Sequence, residues 1–192
     1  MMIFLILAPY GAFTFLMLVS SAAISLFVSA AACLAVIGVD IYYGRSIKIL
    51  SAGSAIAFVA IGLYVTLVDP TFSNSAVKFS VDTAVFVISI GSMLLRFPFT
   101  LQYALEVVDP ETAKLAGFIR ANYIITGAWT AASLVMMAGN AAMIYVPGLP
   151  FWVGLLVVFA VRSITVYFTR WYPQYRRAKY GTPPSNALPG IN

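Results

Sequence analysis

Four polar residues able to do chemistry lie inside long apolar segments of this sequence: Asp82, Asn122, Asn140 and Arg162. Arg162 lies midway between two tryptophans, Trp152 and Trp171, which are spaced as the interfacial residues of one membrane helix. A charge at that depth costs about 2.5 to 3.5 kcal/mol on insertion scales and often marks a substrate or anion pathway. The structural alternative is that Arg162 reaches toward the membrane surface or pairs with Asp82 or Asn140.

The other three residues leave similar alternatives open. Asn122 and Asn140 are 18 residues apart, about five helical turns, so they project from one helix face. Hydrogen bonding between helices is their ordinary role in membranes, and a polar pathway is the alternative. Asp82 follows Lys78 by one turn, as either an edge pair or a carboxylate at the mouth of a polar cavity. Together with Arg162, these residues form the candidate intramembrane polar site.

Other chemistry is limited by the residues available. The sequence has no histidine and one cysteine, Cys33, which removes His-based catalysis and most zinc, copper and haem sites. Glu106, Asp109 and Glu111 form an acidic group, but Asp109-Pro110-Glu111 is typical of a helix start rather than a magnesium site. The sequence therefore predicts no catalytic residue, metal or cofactor, and a membrane enzyme or enzyme subunit is only a third hypothesis.

Composition indicates which elements must position these residues. The 192 residues are 62% hydrophobic and only 9% charged, far from the roughly 25% charged content of soluble domains. The predicted fold is an all-α polytopic transmembrane bundle, one domain over residues 1–172 with a basic, then flexible tail over 173–192. Predicted spans after the first cover 49–68, 79–95, 119–146 and 151–172.

The first 39 residues carry no charge and exceed the roughly 20 residues of one perpendicular span. Pro9-Tyr10-Gly11 is the predicted break, which leaves a full span from residue 14 or 20 to residue 39. The bundle then has about five spans, or six if this region crosses twice.

The stretch 96–122 carries an unusual density of charge, and residues 96–120 are predicted to form a cytoplasmic hinge between two halves. Within it, residues 98–108 have the pattern of an amphipathic turn lying in the membrane interface, and a helix is predicted to begin at Asp109. The hinge and tail form a candidate cytoplasmic interaction surface. Its residues are Arg96, Glu106, Glu111, Lys114, Arg120, Arg176, Arg177 and Lys179.

Lysine and arginine also predict orientation. Nine of them fall on one side of the predicted spans and only Lys78 on the other, which places the hinge and the C-terminus in the cytoplasm. The expected partners are the lipid bilayer and anionic headgroups, with other membrane proteins or self-association. The net charge of +5 is explained by this topology, so nucleic acid is not an expected partner.

The order of features resembles the intracellular septation protein A family of bacterial inner-membrane proteins. The shared layout includes a basic turn at residues 44–48, Pro70 in a short loop, Pro98 and Gln102 in a linker, and Trp129 in a later helix. It runs from about residue 12 to residue 172. The chain departs from that family in its uncharged N-terminus and more acidic linker.

The resemblance implies a role in cell-envelope maintenance or division, with no catalytic residues to carry over. The leading expectation is therefore an interaction or scaffold protein of the envelope. The alternative is a small oligomeric transporter or channel, with its polar path at Arg162, Asp82, Asn122 and Asn140.

Overall fold

A computed structural model describes residues 2–146 and 148–180, which form eight α-helices and no strand. The predicted all-α class is confirmed. The helices, in chain order, are α1 (Met2–Val19), α2 (Ala22–Tyr42), α3 (Ile49–Leu67), α4 (Asn74–Leu94), α5 (Phe99–Ala104), α6 (Pro110–Lys114), α7 (Ala116–Tyr145) and α8 (Phe151–Tyr180).

Five of these helices, α2, α3, α4, α7 and α8, are long and apolar enough to cross a membrane, which agrees with the predicted number of spans. The chain is therefore a multi-pass membrane protein by helix length and hydropathy. Helix α1 is also apolar, and its part from Ala8 to Val19 is shorter than the five candidate spans. Its Tyr10, Phe13 and Met17 are buried in the core.

The predicted break at Pro9-Tyr10-Gly11 is wrong, because α1 runs through Pro9 and ends at Val19. A proline inside a membrane helix is tolerated where neighbouring helices and side chains satisfy the freed backbone groups. The chain turns instead at Ser20 and Ser21. Ser21 is the N-cap of α2, and its Oγ accepts a hydrogen bond from the Ile24 amide at 3.3 Å. The boundary between α1 and α2 therefore lies at this serine cap and not at Pro9.

Sequential helices pack side by side: α1 on α2, α2 on α3, α3 on α4, and α7 on both α4 and α8. Small residues allow two of these close approaches. A methyl group built on Gly62 of α3 would lie 3.1 Å from the Phe27 ring of α2, and one on Gly53 would lie 2.8 Å from Ile88 Cδ1 of α4. The small-residue patches of the sequence thus mark helix contacts.

Helix α4 begins earlier than predicted, at Asn74 rather than residue 79. The Ser73 hydroxyl caps it by accepting a hydrogen bond from the Ala76 amide at 3.2 Å. The added turn places Asp82 about two turns inside the helix instead of one. Asp82 therefore lies farther from the start of its helix than the sequence indicated.

The linker between α4 and α7 differs most from expectation. Its predicted helix start at Asp109 is confirmed: Asp109 caps α6, and its carboxylate accepts bonds from the Thr112 amide at 2.8 Å and hydroxyl at 2.7 Å. These hydrogen bonds lower the pKa of Asp109. Helix α5, however, does not lie as an amphipathic turn in the interface. Phe99, Leu101 and Tyr103 are buried in the bundle.

Helix α8 continues past the predicted end at residue 172, running through Pro173 to Tyr180, so the basic residues Arg176, Arg177 and Lys179 lie on a helical extension. A methyl group on Gly117 of α7 would lie 3.3 Å from Arg176 Nη2. The last turns of α8 therefore lie at the same end of the bundle as the linker, here called the linker end. The predicted flexible tail over 181–192 lies outside the described residues.

Candidate intramembrane polar site

Three of the four predicted site residues come together inside the spans. Asp82 of α4 is 6% exposed, and its Oδ2 accepts a hydrogen bond of 2.8 Å from Asn140 Nδ2 of α7. Arg162 of α8 interacts electrostatically with Asp82. A carboxylate, an amide and a guanidinium from three helices thus form what we call the central cluster.

Tyr10 and Ser54 complete the central cluster from α1 and α3. The Arg162 guanidinium lies over the Tyr10 ring, with Cζ 5.7 Å from the ring centroid, within the range of a cation–π interaction. The Tyr10 hydroxyl hydrogen-bonds to Ser54 Oγ. A cavity of about 10 Å³ borders both residues and Val81, next to Asp82, a volume near that needed for one water molecule.

Arg162 differs from Asp82 in how its polar atoms are satisfied. Asp82 has a hydrogen-bond donor in Asn140, whereas the Arg162 side chain, which is half-buried, donates no hydrogen bond to any residue the structure describes. The two charged groups also form no direct ion pair among the described residues, although their charges interact. The cluster is therefore electrostatically coupled but not closed by hydrogen bonds.

Asn122, the fourth predicted residue, lies apart from the central cluster. It is buried on α7 like Asn140, 5% exposed in each case, but 18 residues along a helix separate them by about 27 Å. Its Nδ2 donates to the Phe118 backbone carbonyl within α7 at 3.0 Å, and its backbone carbonyl accepts from Thr100 Oγ1 at 2.9 Å. The backbone of α7 at Asn122 thus holds α5 at the linker end.

A second group of charges, the linker-end cluster, joins the end of α2 and the α2–α3 turn to Glu106, two residues after α5. Lys48 is only 1% exposed and forms an ion pair with Glu106. Asp40 Oδ2 lies 3.9 Å from Lys48 Nζ, and Arg45 Nε lies 3.9 Å from Glu106 Oε2. Two acids and two bases therefore balance one another in a largely buried network.

Further hydrogen bonds hold helix α5 against α3 and α4. Gln102 Oε1 accepts from the Ile49 amide at 2.8 Å, which satisfies a free donor at the start of α3. The Tyr103 hydroxyl lies 3.2 Å from Ser51 Oγ of α3, and burial raises the pKa of Tyr103 to about 12. The Phe99 amide donates to Ser92 Oγ of α4 at 3.1 Å. These contacts fix α5 against the spans at the linker end, and this helix is called the plug below.

Glu106 stands apart from the other predicted interaction-surface residues, because its side chain is paired with buried Lys48. The remaining charged residues are at the linker end, and Arg176 is half-buried while the others are exposed. The exposed ones are Arg96, Glu111, Lys114, Arg120, Arg177 and Lys179.

Sequence reasoning missed several members of both clusters. Tyr10 was assigned to a helix break and Lys48 to a basic turn, and Asp40 was given no role. A usable signal existed in Ser51 and Ser54, which lie three residues apart on one face of α3 and contact Tyr103 and Tyr10 respectively. Lys48 directly precedes α3, but it is buried because the linker after α5 brings Glu106 into contact with it. Only the fold shows that contact.

Among the described residues, no group of three His, Cys, Asp or Glu side chains is arranged to hold a metal ion. The chain matches no protein-family model, and neither curated proteins nor solved structures give a significant match.

Proposed function

We propose that this multi-pass membrane protein moves a small polar solute or ion across the membrane through the central cluster. The observation that carries the proposal is the convergence of Asp82, Asn140 and Arg162 from three helices within the candidate spans. Charged residues in membrane helices are costly, and those facing a bundle interior typically mark ion or substrate pathways.

A purely structural role would favour a different arrangement. A buried ion pair stabilises a fold only when its geometry is good and its remaining hydrogen bonds are satisfied. The pair of Lys48 and Glu106 meets the first condition by direct contact, whereas Asp82 and Arg162 interact without contact. This difference between two clusters in one chain supports a binding role for the central cluster.

The polar residues of α3 connect the two clusters. Ser54 meets Tyr10 in the central cluster, and Ser51, about one turn closer to the linker end, meets Tyr103 of the plug. A solute moving between the central cluster and the linker end would pass this row of hydroxyls. The plug α5 and the pair of Lys48 and Glu106 lie at that end of the proposed path.

The test is ion flux into vesicles reconstituted with the full chain, with H⁺, K⁺, Na⁺, Cl⁻ and NO₃⁻ as probes. We expect flux of at least one probe, and Asp82→Asn should lower it about tenfold or more, because the substitution removes the only acid deep in a span. The matched control is Asp69→Asn, which changes a half-buried acid in the loop between α3 and α4. Rates equal to those of empty vesicles for every probe would overturn the proposal.

The expected interaction or scaffold role in envelope maintenance or division is the second candidate, as the resemblance to the septation family implies. The observation that favours it is the exposed charge at the linker end, from Arg96, Lys114 and Arg177 among others. Neutralising these residues should release membrane partners captured by cross-linking in bacteria, while Arg162→Leu should leave them bound. The reverse pattern would count against a scaffold.

We also propose that the protein lies in a bacterial inner membrane, as the resemblance to the septation family implies, with its linker end facing the cytoplasm. The orientation follows from the nine Lys or Arg residues on that side of the spans. A fluorescent reporter that folds only in the cytoplasm, fused after Asn192, should be bright. A periplasmic phosphatase at the same place should be inactive. An active phosphatase would reverse the orientation.

A further inference from the structure

One buried oxygen in the linker-end cluster has no hydrogen-bond donor among the described residues. Glu106 bonds to Lys48 through Oε1, whereas its Oε2 is buried and accepts no hydrogen bond from any described residue. Arg45 Nε lies 3.9 Å from that oxygen, which is beyond hydrogen-bond length. Asp40, the other acid of the cluster, lies 3.8 Å from Arg45. A carboxylate oxygen without a donor can accept a proton, so Glu106 Oε2 is a proton acceptor at this end of the bundle.

The Tyr103 hydroxyl connects Glu106 to the interior of the bundle. It interacts electrostatically with Glu106 and with the Cys33 thiol, and it lies 3.2 Å from Ser51 Oγ. Cys33 is 1% exposed and also interacts with Tyr10 of the central cluster. Tyr10 and Tyr103 interact with each other as well. The two clusters are therefore joined by groups that carry exchangeable hydrogens.

Hydroxyl pairs suit the passage of a proton in either direction. Tyr10 pairs with Ser54, and Tyr103 pairs with Ser51, and in both pairs either oxygen can be the donor. A hydroxyl that accepts a proton on its oxygen can release its own hydrogen to the next acceptor. Each transfer then breaks one O–H bond and forms another, and no heavier atom has to cross the bundle.

Asp82 is the acid at the inner end of this row. Val81, the residue before it, lines the cavity of about 10 Å³ in the central cluster, which is near the volume needed for one water molecule. Asn140 donates a hydrogen bond to Asp82 Oδ2, and Arg162 and Lys78 interact with Asp82 electrostatically. This cavity has no room for an ion with its hydration shell. A proton needs only the one water.

We propose that the ion moved by this protein is a proton, which Asp82 and Glu106 exchange through the two tyrosine and serine pairs between them. Uptake converts the Asp82 carboxylate to a carboxylic acid, and release restores it. Glu106 undergoes the same change at the linker end and exchanges its proton with water. Acids inside membrane helices typically serve such relays. The inference rests on the proposed transport function and names its substrate.

Proton entry is measured in vesicles that contain the full chain and a pH-sensitive dye, with a membrane potential as the driving force. We expect acidification faster than in empty vesicles, and Asp82→Asn should slow it about tenfold or more. Glu106→Gln, Tyr103→Phe and Ser54→Ala should slow it by smaller factors. The matched control is Ser133→Ala, which removes another buried hydroxyl that bonds within its own helix. This variant should keep the parental rate.

A second measurement detects protonation of Asp82 without transport. Dicyclohexylcarbodiimide is an apolar reagent that reacts with protonated carboxyl groups, and mass spectrometry locates the adduct. We expect an adduct at Asp82 that increases as the pH is lowered. Glu106→Gln and Tyr103→Phe should keep this adduct, which shows that slow proton entry in these variants is not a folding defect. Absence of the adduct at every pH would overturn Asp82 as a proton acceptor.

The two measurements separate this inference from the transport proposal. Flux of K⁺, Na⁺, Cl⁻ or NO₃⁻ without proton flux overturns the proton and leaves transport standing. Proton flux that is unchanged in Asp82→Asn or in Glu106→Gln overturns the exchange between these two acids. An adduct at Asp82 without flux of any ion supports proton binding there and overturns transport.

Discussion

The ion pair of Lys48 and Glu106 makes the most quantitative prediction, because it joins the α2–α3 turn to the plug in a largely buried position. The two side chains are 1% and 15% exposed. Replacing one partner leaves a buried charge, which typically costs about 3 to 5 kcal/mol. Asp40 lies 3.9 Å from Lys48 and keeps part of the compensation in a Glu106 variant. We therefore expect Glu106→Leu to lower the free energy of unfolding by about 3 kcal/mol.

The assay is reversible unfolding in mixed detergent micelles for Glu106→Leu, Lys48→Met and the double variant. Removing both charges restores neutrality, so the double variant should be more stable than either single variant, and the cycle should give a coupling of about 1 to 3 kcal/mol. The chain contains a matched control in Glu111 and Lys114, a pair at 3.4 Å whose side chains are 85% and 74% exposed. Its coupling should stay under about 0.5 kcal/mol.

Equal losses of stability in Glu106→Leu and Glu111→Leu would refute this reasoning. That result would mean that Lys48 reaches water or a lipid headgroup and that α5 is not fixed by the pair. If the cycle gives the expected coupling while the variants keep the ion flux of the parent, the pair stabilises the plug but takes no part in transport.

Two further predictions concern helix packing and the plug. Gly53→Ala should destabilise the bundle by about 1 to 3 kcal/mol, because the added methyl group meets Ile88 at 2.8 Å; Gly91→Ala, with open space around it, should be neutral or stabilising in the same unfolding assay. The pKa of Tyr103 rises from 10.0 to about 12 in the fold, so its contribution to stability is full below pH 10 and is lost as the pH rises through 12. Tyr103→Phe should flatten that part of the stability curve relative to the parent; an unchanged slope would mean that Tyr103 is accessible to water.

The fold class and the number of spans could be predicted from the sequence, because hydrocarbon imposes its requirements on each helix separately. A run of about 20 apolar residues must satisfy its own backbone hydrogen bonds wherever it packs. Helix caps are equally local, so Asp109 was recognised as a helix start. The break assigned to Pro9 was wrong because its effect depends on neighbouring helices, while Ser21 supplied the cap.

The sequence also singled out Arg162, Asp82 and Asn140, since polar residues are rare in such segments. It could not show that Asn140 reaches Asp82, 58 residues away, while Asn122 on the same face lies beside Thr100. Partners across helices depend on rotation and vertical offset, which are set by packing at positions such as Gly53 and Gly62.

The sequence by itself determined that charge and water are excluded from most of this chain, since that follows from residue composition and helix length. Only the tertiary structure decided which excluded charges meet. Lys48 is buried because α5 turns back under the spans and brings Glu106 to it. Arg162 lies over Tyr10 because α1 packs into the bundle. Contacts between residues far apart in sequence depend on many weak packing interactions among several helices. No single segment of the sequence encodes them.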